Sequence, residues 1–168
     1  MTGFDNSLVT SVHDFVLSHM WVATIARVVT FFGSAAWFVP VIAVVAIIFA
    51  LRRDITTALY LLITSLIGNW LNQFAKAIVD RDRPDLPHPV AHASGQAFPS
   101  GHAMAATVCF GALLVAFWPY LAPRLRAPAV AIYAIVVLLV ATSRVVLGVH
   151  YPTDVVAGIV LGALWLTV

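Results

Sequence analysis

The sequence predicts an all-α integral membrane protein, a bundle of about five to six transmembrane helices with an N-terminal interfacial amphipathic helix. Of the 168 residues, 62% are hydrophobic and only 10% are charged, whereas soluble domains are nearer half apolar and a quarter charged. The mean hydropathy is +0.99. The length suits one compact unit, so we expect residues 1–168 to form a single membrane domain.

Five apolar runs predict the spanning helices. Each is close to the lower limit of about 17 residues that a transmembrane helix needs. Most can lengthen by a turn into polar flanks, as the second does through Asn72, Gln73 and Lys76. The formal net charge of +2 is small and unclustered, which gives no indication of nucleic-acid binding. The runs are 35–51, 55–71, 103–118, 127–142 and 155–168.

The N-terminal region 1–33 has a different pattern from the core, 34–168. Residues 15–32 are apolar but are interrupted by His19 and Arg27. We expect one or two amphipathic helices here that lie in the membrane interface. The alternative is a sixth, poorer spanning helix, which a mid-membrane arginine disfavours.

The loops between the apolar runs predict which polar residues share a membrane face. Two spans separate the loop at 52–54 from the loop at 119–128, so these two lie on one side. The regions 76–102 and 143–154 lie on the other side. Arginines in short loops favour the cytoplasm, so the second face of this cell-membrane protein is predicted to be extracytoplasmic. The arginines of the first side are Arg52, Arg53, Arg124 and Arg126.

Three polar stretches fall on that second face: 76–84 (KAIVDRDRP), 99–102 (PSGH) and 143–154 (SRVVLGVHYPTD). In the second stretch an apolar helical run follows a Pro-Ser-Gly break, so Ser100 is a candidate N-cap. The free N–H groups of a helix start favour an anion, and Gly101 lets a ligand approach the backbone. His102 falls in the first turn, beside any bound anion. An ordinary capped helix with an incidental histidine is the alternative.

In the third stretch, His150 and Asp154 have a spacing that predicts an oriented imidazole. Pro152 is favourable at the first position of the last helix, which places Asp154 in its first turn. A carboxylate there receives the Nδ1 proton of His150 and fixes the tautomer. Nε2 is then free to attack phosphorus. A helix-terminal charge next to a polar boundary residue is the competing interpretation.

The first stretch supplies Lys76 and Arg83, which are close to two helical turns apart. If the helix continues, both cations lie on one face, and Pro84 ends it. Snorkelling interfacial cations are the alternative. Arg144 adds a third cation suited to bidentate phosphate contact. Four neighbouring charges are expected to form a solvated ion cluster instead, namely Asp80, Arg81, Asp82 and Asp85.

Together the three stretches resemble the signature of the type 2 phosphatidic acid phosphatase superfamily. That signature reads K-x-x-x-x-x-x-R-P, then P-S-G-H, then S-R-x-x-x-x-x-H-x-x-x-D, and no motif position of this chain departs from it. The ordered set is strongly specific. The resemblance implies a membrane-embedded lipid phosphate or pyrophosphate phosphatase of the small bacterial kind, which usually has six spanning helices.

The resemblance also implies a role for each motif residue. His150 is the nucleophile that forms a phosphohistidine, Asp154 orients and polarises it, and His102 protonates the leaving oxygen and then activates water. No metal or other cofactor is implied, because fixed cations neutralise the phosphoryl group. The phosphate-binding residues implied are Lys76, Arg83, Ser100, Gly101 and Arg144.

The substrate is left open by the sequence. The candidates that the resemblance implies are phosphatidylglycerol phosphate, phosphatidic acid and undecaprenyl pyrophosphate, and the partners are this lipid and the bilayer. The main alternative is a lipid-linked phosphotransferase that uses the same site. A metal site formed by His88, His92, His102 and His150 and a non-enzymatic scaffold or transporter are further alternatives. Gly158 and Gly162 predict close helix packing within the monomer, with a homo-oligomer as the second interpretation.

Overall fold

The computed structural model describes residues 3–168, and within them the chain is helical without β-strands. This confirms the predicted fold class. Besides the single 3₁₀ turn Trp118–Tyr120, seven α-helices follow one another along these residues. They are α1 (Gly3–Ser18), α2 (Met20–Phe31), α3 (Ala35–Leu51), α4 (Ile55–Val79), α5 (Gly101–Phe117), α6 (Pro123–Val146) and α7 (Pro152–Leu166).

The five apolar runs of the sequence correspond to α3–α7. By length and composition, four segments of the described chain can cross a membrane, and α7 is a shorter apolar helix. The first segment comprises both α2 and α3. The alternative of a sixth spanning helix before Gly33 therefore stays a prediction. The four segments are Met20–Leu51, Ile55–Val79, Gly101–Tyr120 and Pro123–Val146.

Helix α5 lies at the centre of the bundle, where it contacts α4, α6 and α7. Its approach to α7 depends on glycine. A Cβ at Gly158 would lie 2.7 Å from the carbonyl oxygen of Ser100, and one at Gly162 would lie 2.9 Å from Thr107 Cβ. Close packing within the monomer, predicted from the two glycines, is therefore confirmed. This packing brings the beginnings of α5 and α7 together, and the Ser100 N–H donates to the Asp154 carbonyl over 2.9 Å.

Helix α1 covers the end of the bundle where α7 begins. One face of α1 is buried, and the helix contacts α2, α6 and α7. His13 Nε2 lies 2.7 Å from the carbonyl oxygen of Pro87, which ties α1 to the long loop between α4 and α5. The buried residues are Asp5, Val9, His13 and Val16, at intervals of three or four as in an amphipathic helix.

Two boundaries differ from the sequence predictions. Helix α4 ends at Val79 because Asp80 has left-handed backbone geometry, with φ of 43°. The expectation that the helix continues to Arg83 is therefore wrong. Helix α6 begins at Pro123, inside the segment 119–128 that was assigned to a loop. Proline suits the first helical turn, where its missing N–H has no intrahelical partner to lose.

Candidate active site

His150 lies in the short connection between α6 and α7, and its side chain is buried. Its Nε2 atom is 3.2 Å from Nη1 of Arg83. A guanidinium can only donate hydrogen bonds, so Nε2 must be the acceptor and the proton of the neutral ring is on Nδ1. The contact therefore selects the tautomer in which Nε2 carries the lone pair.

Asp154 faces the protonated side of the same ring. Its Oδ2 atom lies 3.6 Å from Nδ1 of His150, which is longer than a hydrogen bond. The same oxygen accepts from the backbone N–H of Tyr151 over 2.8 Å. This second contact arises because Asp154 is in the first turn of α7, where a carboxylate can satisfy a free N–H group. The four-residue spacing thus places the carboxylate beside the ring, but the predicted hydrogen bond from Nδ1 is not formed among the described residues.

Six of the eight residues predicted for the site line one cavity of about 810 Å³. They come from α4, the loop after it, the start of α5, the end of α6 and the connection to α7. Residues from all three polar stretches therefore line the same cavity, at one membrane face. The six are Lys76, Arg83, Gly101, His102, Arg144 and His150.

The cations that line this cavity donate to neutral carbonyl and hydroxyl oxygens rather than to carboxylates. Nζ of Lys76 donates to the Gln96 carbonyl over 2.6 Å, and Nη1 of Arg144 donates to the Thr30 hydroxyl over 2.7 Å. Arg144 Nε is buried without a hydrogen-bond partner among residues 3–168. Arg83 donates to four carbonyl oxygens, those of Ser94, Gly95, Gln96 and Val149. Neutral acceptors leave the positive charges uncompensated, which favours an anion in the cavity.

The remaining two predicted residues lie behind the cavity surface. Asp154 is fully buried beside His150. Ser100 is also fully buried and does not line the cavity. It precedes α5 at the N-cap position, but its hydroxyl makes no capping bond. A Cβ at Gly101 would lie 3.2 Å from Oδ1 of Asn72, so the glycine permits close contact with α4.

Burial dominates the electrostatics of the nucleophile candidate. It lowers the pKa of His150 from 6.5 to about 4, with the positive charges of Arg83 and Arg144 acting in the same direction and Asp154 opposing them. The imidazole is therefore neutral near pH 7. Burial also lowers the pKa of Arg83, while Asp154 raises it. A neutral ring beside fixed cations is the state that a nitrogen nucleophile needs.

Arg81 is the residue that the sequence prediction misplaced. It was assigned to a solvated ion cluster, but its side chain is only 17% exposed and its Nη1 lies 2.6 Å from Oδ1 of Asp154. Its Nη2 lies 2.8 Å from Oδ2 of Asp5. Burial lowers the pKa of Arg81, but the hydrogen bonds and charges of the two aspartates outweigh it and raise that pKa overall. The Arg-x-Arg spacing of Arg81 and Arg83 could have indicated that both belong to the site. Side chains two residues apart lie on the same side of an extended segment.

Away from the cations, the cavity continues between α3, α4 and α5 and becomes mostly apolar. On α4 its lining extends from Leu62 to Lys76, about 21 Å of helix. Three amide side chains interrupt the apolar wall just below Lys76, namely Asn69, Asn72 and Gln73. The apolar lining includes Phe38, Val39, Ile42, Leu62, Leu66 and Val108.

Comparison with protein families and curated proteins places these features in a known group. The model of the PAP2 superfamily matches residues 57–168. Phosphatidylglycerophosphatase B of Bacillus subtilis (strain 168) is 31% identical over 147 residues, which are 86% of this chain and 71% of that protein. Lipid A 1-phosphatase of Rhizobium johnstonii is 34% identical over 113 residues, 62% of this chain but only 43% of that protein.

Two solved structures share the arrangement of helices. The crystal structure of a transmembrane PAP2 type phosphatidylglycerolphosphate phosphatase from Bacillus subtilis has a TM-score of 0.87 and 28% identity. The match covers 97% of this chain and 81% of that one. LpxE of Aquifex aeolicus has a TM-score of 0.73, with 99% of this chain and 94% of that chain covered. Its identity is 18%, so this second likeness concerns the fold alone.

Proposed function

This chain belongs to the PAP2 superfamily, as its three motifs predicted, and we propose that it hydrolyses a lipid phosphate through a phosphohistidine. One observation carries the proposal. The lone pair of His150 Nε2 is at the cationic end of a cavity whose other end is apolar. That arrangement suits a substrate with an anionic head and a hydrocarbon tail.

In the first chemical step, the Arg83 hydrogen bond to His150 Nε2 passes to a phosphoryl oxygen, and the freed lone pair of Nε2 attacks phosphorus while the bond from phosphorus to the lipid oxygen breaks. His102 gives its proton to that oxygen, so the leaving group departs as an alcohol, or as a lipid monophosphate from a pyrophosphate. The phosphorylated ring keeps its proton on Nδ1 and becomes cationic. Asp154 stabilises this charge and the ring orientation, as the carboxylate of a catalytic triad does.

In the second step, His102 takes a proton from water as the water oxygen attacks phosphorus. The phosphorus–nitrogen bond breaks, its electron pair returns to Nε2, and inorganic phosphate leaves. His102 is then protonated and His150 neutral, as at the start. One residue can serve as acid and then as base because the second step reverses the chemistry of the first.

Fixed positive charges stabilise both transition states in this proposal. Lys76, Arg83 and Arg144 bind the phosphoryl oxygens, and the Gly101 N–H at the start of α5 adds a backbone donor. Ser100 has a supporting role, because its hydroxyl is buried behind the cavity surface. With the charge balanced by side chains, turnover is expected to be independent of divalent metals.

The amides of the cavity favour a glycerolipid phosphate among the three candidate substrates. Asn72, Gln73 and Asn69 lie three to seven residues before Lys76 on α4, at about 5 to 11 Å of helix rise. The oxygen atoms that link the phosphate to the chains in phosphatidic acid or phosphatidylglycerol phosphate continue over such a distance. A polyprenyl tail is hydrocarbon directly below its phosphates. Amides in an otherwise apolar wall are costly unless they meet polar groups.

The site is proposed to face away from the cytoplasm. The arginines of the opposite end lie in the connection between α3 and α4 and at the start of α6, whereas the cavity opens at the other end of these helices. Positively charged short loops favour the cytoplasmic side.

Phosphate release by the detergent-solubilised protein tests the proposal. Phosphatidic acid, phosphatidylglycerol phosphate and undecaprenyl pyrophosphate are offered in parallel, each with and without EDTA. We expect release from the two glycerolipids, unchanged by the chelator, and a phosphorylated protein band after rapid denaturation at alkaline pH, where a phosphohistidine survives. Release that stops in EDTA would contradict the metal-independent mechanism. A phosphorylated lipid or sugar acceptor formed without free phosphate would indicate the phosphotransferase instead.

A further inference from the structure

The buried carboxylate of Asp154 is held on both of its oxygens. Oδ2 receives the Tyr151 N–H and faces His150, as described above. Oδ1 receives Nη1 of Arg81 over 2.6 Å. Because each oxygen has its own charged or polar neighbour, the carboxylate plane cannot rotate without losing a strong hydrogen bond. Arg81 therefore fixes the group that is proposed to orient the nucleophile.

Arg81 is itself held by contacts with three further residues. Its Nη2 donates to Asp5 Oδ2 over 2.8 Å, and its Nη1 also donates to the Thr153 hydroxyl over 2.7 Å. The guanidinium carbon lies 4.3 Å from the centroid of the Tyr151 ring, a distance at which the aromatic face attracts a cation. The planar fork of arginine allows these contacts to form at once.

Asp5 comes from α1, which lies outside the residues 57–168 that the superfamily model matches. It is 1% exposed and also accepts from the hydroxyl and the N–H of Thr153, over 2.7 and 3.3 Å. The buried Val9 and Val16 and the contact of His13 with Pro87 hold α1 against the bundle. Near the beginning of α1, a negative charge is also favoured by the helix dipole.

The ionic chain Asp5–Arg81–Asp154 lies behind the cavity and does not line it. Arg81 is thus separate from Lys76 and Arg144, which line the cavity and can meet phosphate. A buried arrangement of this kind is costly unless its geometry is good, and all its N–O distances are between 2.6 and 2.8 Å. Its effect on phosphate chemistry must therefore pass through Asp154.

We propose that Arg81 is a positioning residue of the phosphatase reaction and that Asp5 on α1 completes its setting. The pair holds the Asp154 carboxylate toward His150, so that α1 is part of the catalytic apparatus. This inference rests on the proposed function of His150 and Asp154. It assigns a role to an element that precedes the family-matched region.

The charges of this ionic chain also influence the pKa of His150. Removing the positive charge of Arg81 leaves two carboxylates uncompensated, which favours imidazolium and raises the pKa of His150. Removing the negative charge of Asp5 acts in the opposite direction. The charged and titratable groups that face His150 from the surrounding elements are Lys76 of α4, Arg83 of the loop, His102 of α5, Arg144 of α6 and Asp154 of α7. None of these is changed by either substitution.

The test compares Arg81→Met, Arg81→Lys and Asp5→Asn with the wild-type protein in detergent. We expect Arg81→Met to lower kcat for phosphatidic acid about 10- to 100-fold, as loss of an outer-sphere partner does at other catalytic centres. The inhibition constant of inorganic phosphate should change less than about threefold, because the cavity cations remain. Asp5→Asn should give a smaller loss of kcat. Asp14→Asn, an exposed aspartate on the same helix, is the matched control and should behave as wild type.

A titration of ¹⁵N-histidine-labelled protein gives a readout that needs no turnover. The His150 signal is assigned by its loss in His150→Ala. Its pKa should rise by about one unit in Arg81→Met, return toward the wild-type value in Arg81→Lys, and not rise in Asp5→Asn. Opposite responses to the two charge removals distinguish positioning from general loosening of the fold.

The proposal is overturned if Arg81→Met keeps kcat within twofold of wild type. It is also overturned if kcat and phosphate inhibition weaken together while the His150 titration stays unmoved, since that result indicates only damaged structure. If the wild-type protein releases phosphate from none of the lipids, the proposed function fails. The titration then still decides whether Arg81 and Asp5 control His150.

Discussion

The two membrane ends of the bundle carry similar numbers of basic side chains but use them differently. At the end away from the cavity, Arg52, Arg53 and Arg124 are exposed, and Arg126 lies 5.2 Å from the Trp118 ring centroid. At the cavity end, four cations are bonded to residues distant in sequence, such as Arg144 to Thr30. The number of charges therefore says little about function, whereas burial and long-range partners identify the site. The four are Lys76, Arg81, Arg83 and Arg144, and Arg27, which donates to the Val90 carbonyl, is a fifth cation at this end.

The largest expected effect on turnover is at the His150–Asp154 pair, which lies at the cavity end. His150→Ala removes the proposed nucleophile and should abolish turnover. Asp154→Asn keeps the shape but loses the charge that holds the imidazole, and should cost about 10⁴-fold in kcat. Single-turnover phosphate release from phosphatidic acid measures both. Appreciable turnover in His150→Ala would mean that another group attacks phosphorus.

A cavity cation should have the next largest effect. Arg144→Met removes a fixed charge from the cavity wall and should lower kcat/KM by about 10²- to 10³-fold, the usual loss for one donor to a transition-state oxyanion. The control is Thr30→Val, which removes the hydrogen bond of Arg144 but keeps its charge. If Thr30→Val reproduced the whole loss, Arg144 would act by holding α2 rather than by binding phosphate.

The pH profile should separate the buried histidine from an ordinary one. Attack needs neutral His150, so activity is lost as the pH falls through its pKa, which burial lowers to about 4. After correction for substrate ionisation, the acid limb of the kcat/KM profile, which reports His150, is expected to decline about tenfold per unit as the pH falls below about 4. Protonated His102, which the first step needs, gives a separate loss of activity as the pH rises. An acid limb centred near pH 6.5 would show that the His150 ring is solvated in the working enzyme.

Much of the site could be predicted because its motifs are short and their geometry is local. The spacing of His150 and Asp154 fixes the carboxylate in the first turn of a helix, beside the ring. The apolar runs likewise predict the spans and place the three stretches on one face. These inferences use only chain direction, helix periodicity and the cost of burying polar groups.

The parts that could not be predicted depend on distant contacts or on one backbone conformation. Arg81 was read as solvated because its partners, Asp5 and Asp154, are 76 and 73 residues away. The left-handed geometry of Asp80, which ends α4, has no clear sequence signal before Pro84. An N-cap position was correctly expected at Ser100, but its hydroxyl makes no capping bond, and its backbone N–H donates to the Asp154 carbonyl of α7 instead.

A moderate effect is expected at the cavity amides. Gln73→Leu removes one side-chain hydrogen bond to the linker of a glycerolipid, so kcat/KM for phosphatidic acid should fall about tenfold. The value for undecaprenyl pyrophosphate should stay within about twofold, because its tail has no oxygen at that depth. Asn6→Leu, a comparable amide removal on the exposed side of α1, is the control. Equal losses on both substrates would show that Gln73 does not select the linker.

The smallest effect is expected at Arg124, at the opposite end of the bundle. Its side chain is exposed at the start of α6, on the far side of the membrane from the cavity. Arg124→Ala should therefore leave phosphate release within about twofold of wild type, as for surface substitutions remote from a site. The same change can still affect insertion, since this arginine contributes to the orientation of the loops. Activity per correctly inserted molecule is the relevant measurement, because it separates topology from catalysis. A large loss in that quantity would require Arg124 to lie near the substrate, and the assignment of the two ends would then be wrong.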